Sequence, residues 1–229
     1  SAGHWRQTIS TGNARKITYF DGLWRPLVTR EYDVANETGT KRFQRFTYDH
    51  AGRTTFASYP GTTDALSTGN WNQYDSLGRP ISSSQDSELG VLSTVILYET
   101  GFKTRVTNPR TISTLTSYRA WDTPTTDYPI QILHANTAIT DIGRDPDTGL
   151  PTTLTRRNPA NTLSVTRSYT YNAFKELCRS VEPETGATLM GYDGAGNLAW
   201  SAAGLPASTA CETTGTSATV APRRVARTY

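Results

Sequence analysis

Catalysis by side chains usually needs a histidine beside a nucleophile, paired carboxylates or clustered metal ligands. The chain holds a few residues of each kind. Its histidines, His4, His50 and His134, stand far apart in sequence. His50 falls inside Tyr48-Asp49-His50-Ala51-Gly52, where a turn calls for a polar residue whether or not a base is needed. Asp145 with Asp147, and Glu182 with Glu184, have the spacing of acid–base or calcium carboxylates. Each pair sits in a Pro-to-Gly stretch, Asp145-Pro146-Asp147-Thr148-Gly149 and Glu182-Pro183-Glu184-Thr185-Gly186. Proline pre-sets the first turn position and glycine takes the left-handed one, so both read as type I turns with a bulge. Calcium would ask for more oxygen ligands nearby. Cys178 and Cys211 lack metal-ligand spacing. A disulfide is open to them in an exported protein, but their separation gives it no geometric support. Two buried or half-buried free thiols are therefore expected. No catalytic residue, cofactor or metal is assigned, and the chain reads as a protein that is not an enzyme.

The element that positions most of these groups is a short β-hairpin. Phe46 and Tyr48 share one face of a strand, with Thr47 on the other. Asp49 can accept a hydrogen bond from a main-chain N–H two residues on, Gly52 can take the φ > 0 position, and Arg53 begins the return strand. Tyr74-Asp75-Ser76-Leu77-Gly78-Arg79 repeats the pattern, and Tyr192-Asp193-Gly194-Ala195-Gly196-Asn197 nearly does. Looser copies are Phe20-Asp21-Gly22-Leu23-Trp24-Arg25, Tyr98-Glu99-Thr100-Gly101, Trp121-Asp122, Thr140-Asp141-Ile142-Gly143-Arg144 and Tyr171-Asn172-Ala173-Phe174-Lys175. Positions 21, 49, 75, 99, 122, 141, 172 and 193 are 28, 26, 24, 23, 19, 31 and 21 residues apart. A drifting period of roughly 25 marks a repeat array of one supersecondary unit. The expected fold is all-β: stacked antiparallel hairpins in a curved ribbon or partial spiral shell. In it the tyrosines would form an aromatic ladder and each Arg would bridge neighbouring turns.

The pattern closely resembles the YD repeat of the RHS family, which includes the shell-forming subunits of Tc insecticidal toxins and the teneurin ectodomains. The stretches Gly78 to Gly90, Gly101 to Arg110 and Val181 to Leu205 resemble bacterial RHS proteins in particular. The resemblance implies a large hairpin spiral closing into a hollow shell around a toxin segment of the same polypeptide. It further implies an exported or secreted bacterial protein, a toxin effector delivered by a secretion system such as type VI. Such proteins carry an aspartyl self-cleavage module with an Asp-Pro-x-Gly-Leu signature after the repeats. Asp145 to Leu150 has one residue too many for it and lies among the repeats, so it reads as a hairpin turn. The family also brings an alternative, a carbohydrate- or cell-surface-binding module using the tyrosines and Trp5, Trp24, Trp71, Trp121 and Trp200.

The totals suit this reading. Hydrophobic residues make up 35% of 229, lean for a compact core but fitting a thin sheet with wet faces. A net charge of +3 with dispersed arginines does not describe a nucleic-acid patch. No apolar run is long enough to span a membrane. Residues 1–229 are expected to be one repetitive body, an internal fragment of a larger shell whose final Arg227-Thr228-Tyr229 leads into a further turn. Val91 to Tyr98, the most apolar strand, is expected to be the best buried. Ser201 to Pro222, rich in small residues without a period, reads as a loop insertion.

Overall fold

The computed structural model describes residues 5–120 and 123–227. His4, the Trp121-Asp122 copy and the final Thr228-Tyr229 lie outside them. Among the described residues the chain is all-β, with eighteen strands and only short helical turns. It divides into two compact units. One takes in the chain to Leu97 together with Val106–Ile112, the other Tyr98–Arg105 together with Ser113 onward.

The first unit is an antiparallel meander of β1 (Trp5–Thr11), β2 (Ala14–Phe20), β3 (Pro26–Asp33), β4 (Arg42–Tyr48), β5 (Thr54–Ser58), β6 (Gly69–Tyr74), β7 (Pro80–Ser87) and most of β8 (Gly90–Glu99). Each strand pairs with the next in sequence. β9 (Lys103–Thr107) follows. The second unit continues the design with β10 (Ser113–Tyr118), β11 (Pro129–His134), β12 (Ala138–Arg144), β13 (Pro151–Arg157), β14 (Ser164–Tyr171), β15 (Leu177–Glu182), β16 (Gly186–Tyr192), β17 (Leu198–Leu205) and β18 (Arg224–Ala226). Here too the pairing runs from each strand to its successor.

A regular defect marks the repeats. Pairing slips by one residue beside each of six turns: Thr47 faces Phe56 but Tyr48 faces Thr54, leaving Thr55 as a bulge. Leu27, Ile81, Thr152, Cys178 and Ala199 occupy the same place in their hairpins. A bulge adds local twist and re-aims the side chains beside it. It therefore sets the outlook of the residue beside it, which is a tyrosine in four of these hairpins and Phe20 and Arg144 in the other two.

Burial departs from the expectation at β8. Val91, Val95 and Leu97 are exposed, so the most apolar strand is not the best buried one. Flanking hydrogen bonds protect a strand's edges and leave its faces open, so apolar sequence becomes burial only under a second layer. The buried cluster lies instead in the second unit: Ala187, Leu189, Trp200, Ala202, Leu205 and Val220. The stretch from Ser201 to Pro222 supplies much of it. Ser201 to Leu205 belong to β17, and the following loop brings Val220 to complete burial. Where glycines of this stretch and of β16 meet Trp200 there is no room for a side chain. Gly191 and Gly215 are such positions: a Cβ on Gly191 would come 2.0 Å from Trp200 Nε1, and one on Gly215 2.9 Å from the ring. The Trp200 indole N–H donates to the Thr213 carbonyl at 3.2 Å.

Cys178 and Cys211 are joined in a disulfide, not free. Spacing of 33 residues said nothing about their approach. The loop after β17 folds back over β15 and β16 and places Cys211 against the bulge residue Cys178, at a Cα–Cα distance of 5.6 Å.

Candidate functional site

Each Tyr–Asp turn is built the same way. In the copy centred on Asp49, the Asp49 amide donates to the Arg53 carbonyl at 3.0 Å and the Gly52 amide to the Asp49 carbonyl at 3.0 Å. Asp49 Oδ1 accepts from the amides of Ala51 and Arg53, both at 2.9 Å. Its Oδ2 accepts from Arg53 Nε at 2.6 Å. Gly52 stands at φ +83, the left-handed position where a Cβ is strained. Asp75 with Arg79 and Asp21 with Arg25 reproduce these bonds. In the Asp193 copy Asn197 replaces the arginine and donates to Asp193 Oδ2 at 3.0 Å, with Gly196 at φ +80. The aspartates respond accordingly. Partial desolvation alone would raise Asp49 and Asp75, but hydrogen bonds from the main chain and guanidinium of Arg53 and Arg79 hold both below the ordinary carboxylate range. Asp21 is lowered chiefly by the Arg25 main-chain N–H, and Asp193 chiefly by the Asn197 side chain.

Arg25 bridges to the neighbouring turn, as expected from the sequence, but its Nη1 donates to the Asp49 main-chain carbonyl, at 3.5 Å, and not to the carboxylate. Arg25, Arg53 and Arg79 each pair with the aspartate of their own turn, and Arg25 and Arg53 also place their guanidinium groups over the tyrosine of the next. The Arg25 guanidinium sits 4.7 Å from the Tyr48 ring centroid and that of Arg53 4.7 Å from Tyr74. Tyr48 and Tyr74 are thus stacked by guanidinium groups where a ladder of rings was expected. The tyrosine hydroxyl returns the contact by donating to the carbonyl just beyond the preceding turn. Tyr48 reaches Pro26 at 2.8 Å, Tyr74 reaches Thr54 at 3.3 Å, Tyr171 reaches Pro151 at 2.9 Å and Tyr192 reaches Leu177 at 3.0 Å. A partly exposed cation–π contact contributes about 0.5–1 kcal/mol and a hydrogen bond about 0.5–1.5 kcal/mol. Removal from water pushes the hydroxyls of Tyr48, Tyr171 and Tyr192 up. The charge of Arg25 opposes this at Tyr48, and that of Glu176 adds to it at Tyr192.

Between successive turns the clasp leaves a groove. One of about 460 Å³ lies between Asp21-Arg25 and Tyr48. Another of about 540 Å³ is lined by Asp49, His50, Arg53, Trp71, Tyr74 and Asp75. In the second unit a groove of about 410 Å³ runs between the Asn172 and Asp193 turns, with the disulfide on its wall. Trp71 is 42% exposed and packs on Phe56 at 4.1 Å between centroids, while Trp5 and Trp24 stack at 5.0 Å and remain exposed.

Several sequence expectations find other places. Asp141 is not in a turn; it lies within β12, where its carboxylate takes Arg157 Nε at 2.6 Å and Gln131 Nε2 at 2.8 Å. The turn of that hairpin is Asp145 to Leu150. Asp145 Oδ1 there accepts from the Asp147 amide and from the Thr148 amide and hydroxyl, so this carboxylate shapes the turn. His50 is exposed in its turn, and His134 Nε2 is 3.1 Å from Thr140 Oγ1. Two turns of the same make escaped the sequence reading, at Asn108 and Asn158, which cap following amides through Oδ1. Their signal was an Asn followed by Pro, in Asn108-Pro109 and Asn158-Pro159, without the preceding Tyr. Among the described residues no group of three or more His, Cys, Asp or Glu side chains could hold a metal ion, and no helix is long and apolar enough to cross a membrane.

No protein-family model matches the sequence, and no curated protein matches it. Among solved structures the chain is similar to the crystal structure of TcdB2-TccC3-Cdc42, with a TM-score of 0.49 and 14% identity, covering 86% of this chain and 13% of that one. It is also similar to the crystal structure of TcdB2-TccC3, with a TM-score of 0.43 and 15% identity over the same shares. The chain spans 13% of the length of these neighbours, and a likeness of this degree carries no inference about function.

Proposed function

We propose that this chain is a wall segment of an RHS-type shell that encloses a toxin segment of its own parent polypeptide. Its role is containment and not catalysis. The observation that carries the reading is the relay of turns. Neighbouring hairpins pair, and Tyr48, Tyr74, Tyr171 and Tyr192 tie their turns to the preceding ones, so the array extends by adding copies. A thin sheet of this kind suits a wall wet on one or both sides better than a compact body. The disulfide fits a protein folded in an oxidising compartment or exported to one. The parent would be a secreted bacterial effector, delivered by a type VI or similar route. The test is limited proteolysis of the parent polypeptide. Containment predicts that the enclosed segment resists cleavage until the repeats are unfolded; cleavage of that segment at the rate of a free peptide would refute it.

A second reading has its own observation. Trp71 is exposed in a groove beside His50, Asn72 and Gln73, the mixture of ring and polar groups that receives a sugar face. Glycan-array binding abolished by Trp71→Ala would favour it. An array without hits would set it aside.

A further inference from the structure

The repeats carry an internal control for one of their own grooves. In the groove below Tyr48, residue Arg25 closes the preceding turn, lays its guanidinium 4.7 Å from the ring and passes beside Gly52, where a Cβ would lie 3.4 Å from its Nη1. In the next groove Arg53 does the same over Tyr74, beside Gly78. The third groove keeps the framework: Tyr192 donates to the Leu177 carbonyl at 3.0 Å, and Gly196 holds the left-handed position at φ +80. The residue that closes its preceding turn, however, is Glu176. Its Oε2 is anchored by Asn172 Nδ2 at 2.6 Å, and its Oε1 points along the path the arginines take, 3.7 Å from a Cβ built on Gly196. A carboxylate therefore stands where the repeat elsewhere places a guanidinium. The groove is lined by Glu176, Asp193 and Glu212 and by no lysine or arginine, whereas Arg25 and Arg45, or Arg53, balance the acids of the other two.

We propose that this groove receives an arginine side chain from a partner polypeptide. The guanidinium would lie over the Tyr192 ring and pair with Glu176, whose carboxylate holds the place that the chain's own guanidinium groups take in the sister grooves. Phe174, 84% exposed at the rim, offers an apolar ledge for the aliphatic stem. A planar fork suits a carboxylate beside an aromatic face better than a compact ammonium does. The site is independent of the containment role and would serve a wall or a free-standing module equally.

The test titrates the 229-residue chain with an acetyl-arginine amide, using the neutral acetyl-citrulline amide as its isostere and following the Tyr192 ring by NMR. Saturable shifts at Tyr192 with the arginine compound and none with citrulline are expected. Glu176→Gln should weaken binding about fivefold or more, since a charge-assisted pair becomes a neutral one. Glu176→Arg, which restores the repeat's own residue, should abolish binding without lowering the melting temperature. An equal response to both amides, an unchanged affinity in Glu176→Gln, or continued binding by a folded Glu176→Arg would each overturn the proposal.

Discussion

The hairpins around Asp21, Asp49 and Asp75 and the end of the chain around Trp200 hold neighbouring strands together by different means. In the first region the turns share one construction: aspartate caps amides and arginine neutralises it, and Arg25 and Arg53 also reach the next tyrosine. The contacts are half exposed and individually small, so their sum grows with the number of copies. In the second region the clasp is incomplete, with Glu176 and Asn197 where arginines would stand. A strap closed by a disulfide covers a tryptophan wedged between two glycines. Stability there is concentrated in a few buried side chains. A repeat can therefore lose its polar relay where an apolar lid takes over the work.

This contrast is sharpest for truncations. Trp200→Ala should have the largest effect, about 3–5 kcal/mol, because it empties a buried site whose glycine neighbours cannot fill the space. It would be read as a lower melting temperature and faster amide exchange at Leu189 and Leu205. Replacing Cys178 and Cys211 by alanine should cost about 3–4 kcal/mol, as expected for opening a loop of this length. A loss below about 1 kcal/mol would mean that the strap holds without its tether. Changes in the polar relay should be smaller. Gly52→Ala forces a side chain into the left-handed region at a cost of about 1–2 kcal/mol. Lys175 occupies the equivalent position at φ 65, so Lys175→Gly should stabilise the protein by about 1 kcal/mol.

Acid offers a gentler probe of the same difference. Asp21, Asp49, Asp75 and Asp193 have folded-state pKa values lowered from the usual one. Their contribution is present above the unfolded carboxylate value of about 3.9 and is lost as pH falls through the lowered folded values. The melting temperature should be flat near neutrality and decline below about pH 4. Asp49→Asn, which can keep an Oδ1 acceptor but loses the charge, should flatten that decline. An unchanged acid limb would deny the turn carboxylates this role.

Much of the repeat was legible because its determinants are local. Aspartate caps amides two and four residues on, and glycine accepts a positive φ, so Tyr48 to Arg53 and Tyr74 to Arg79 declare their turns in six residues. Asp141 misled because Gly143 and Arg144 imitate the motif; strand pairing with β11 and β13 and the stronger Asp145-Pro146 turn decided otherwise. The two cysteines, the wedge around Trp200 and the exposure of β8 depend on which segments meet across the fold, and linear spacing does not encode that. The arginine–tyrosine stack is an intermediate case. Its residues were visible, but that Arg25 meets both the ring of Tyr48 and the main chain of Asp49 depends on how the strands align, which spacing alone does not give.

The most direct test of the relay is a pair of double-mutant cycles read by equilibrium unfolding. One joins Arg53→Ala with Tyr74→Leu, the other Glu176→Ala with Tyr192→Leu. The clasp predicts a favourable coupling of about 0.5–1 kcal/mol in the first cycle and none, or an unfavourable one, in the second. Additivity within about 0.3 kcal/mol in the first cycle, or equal couplings in both, would contradict it.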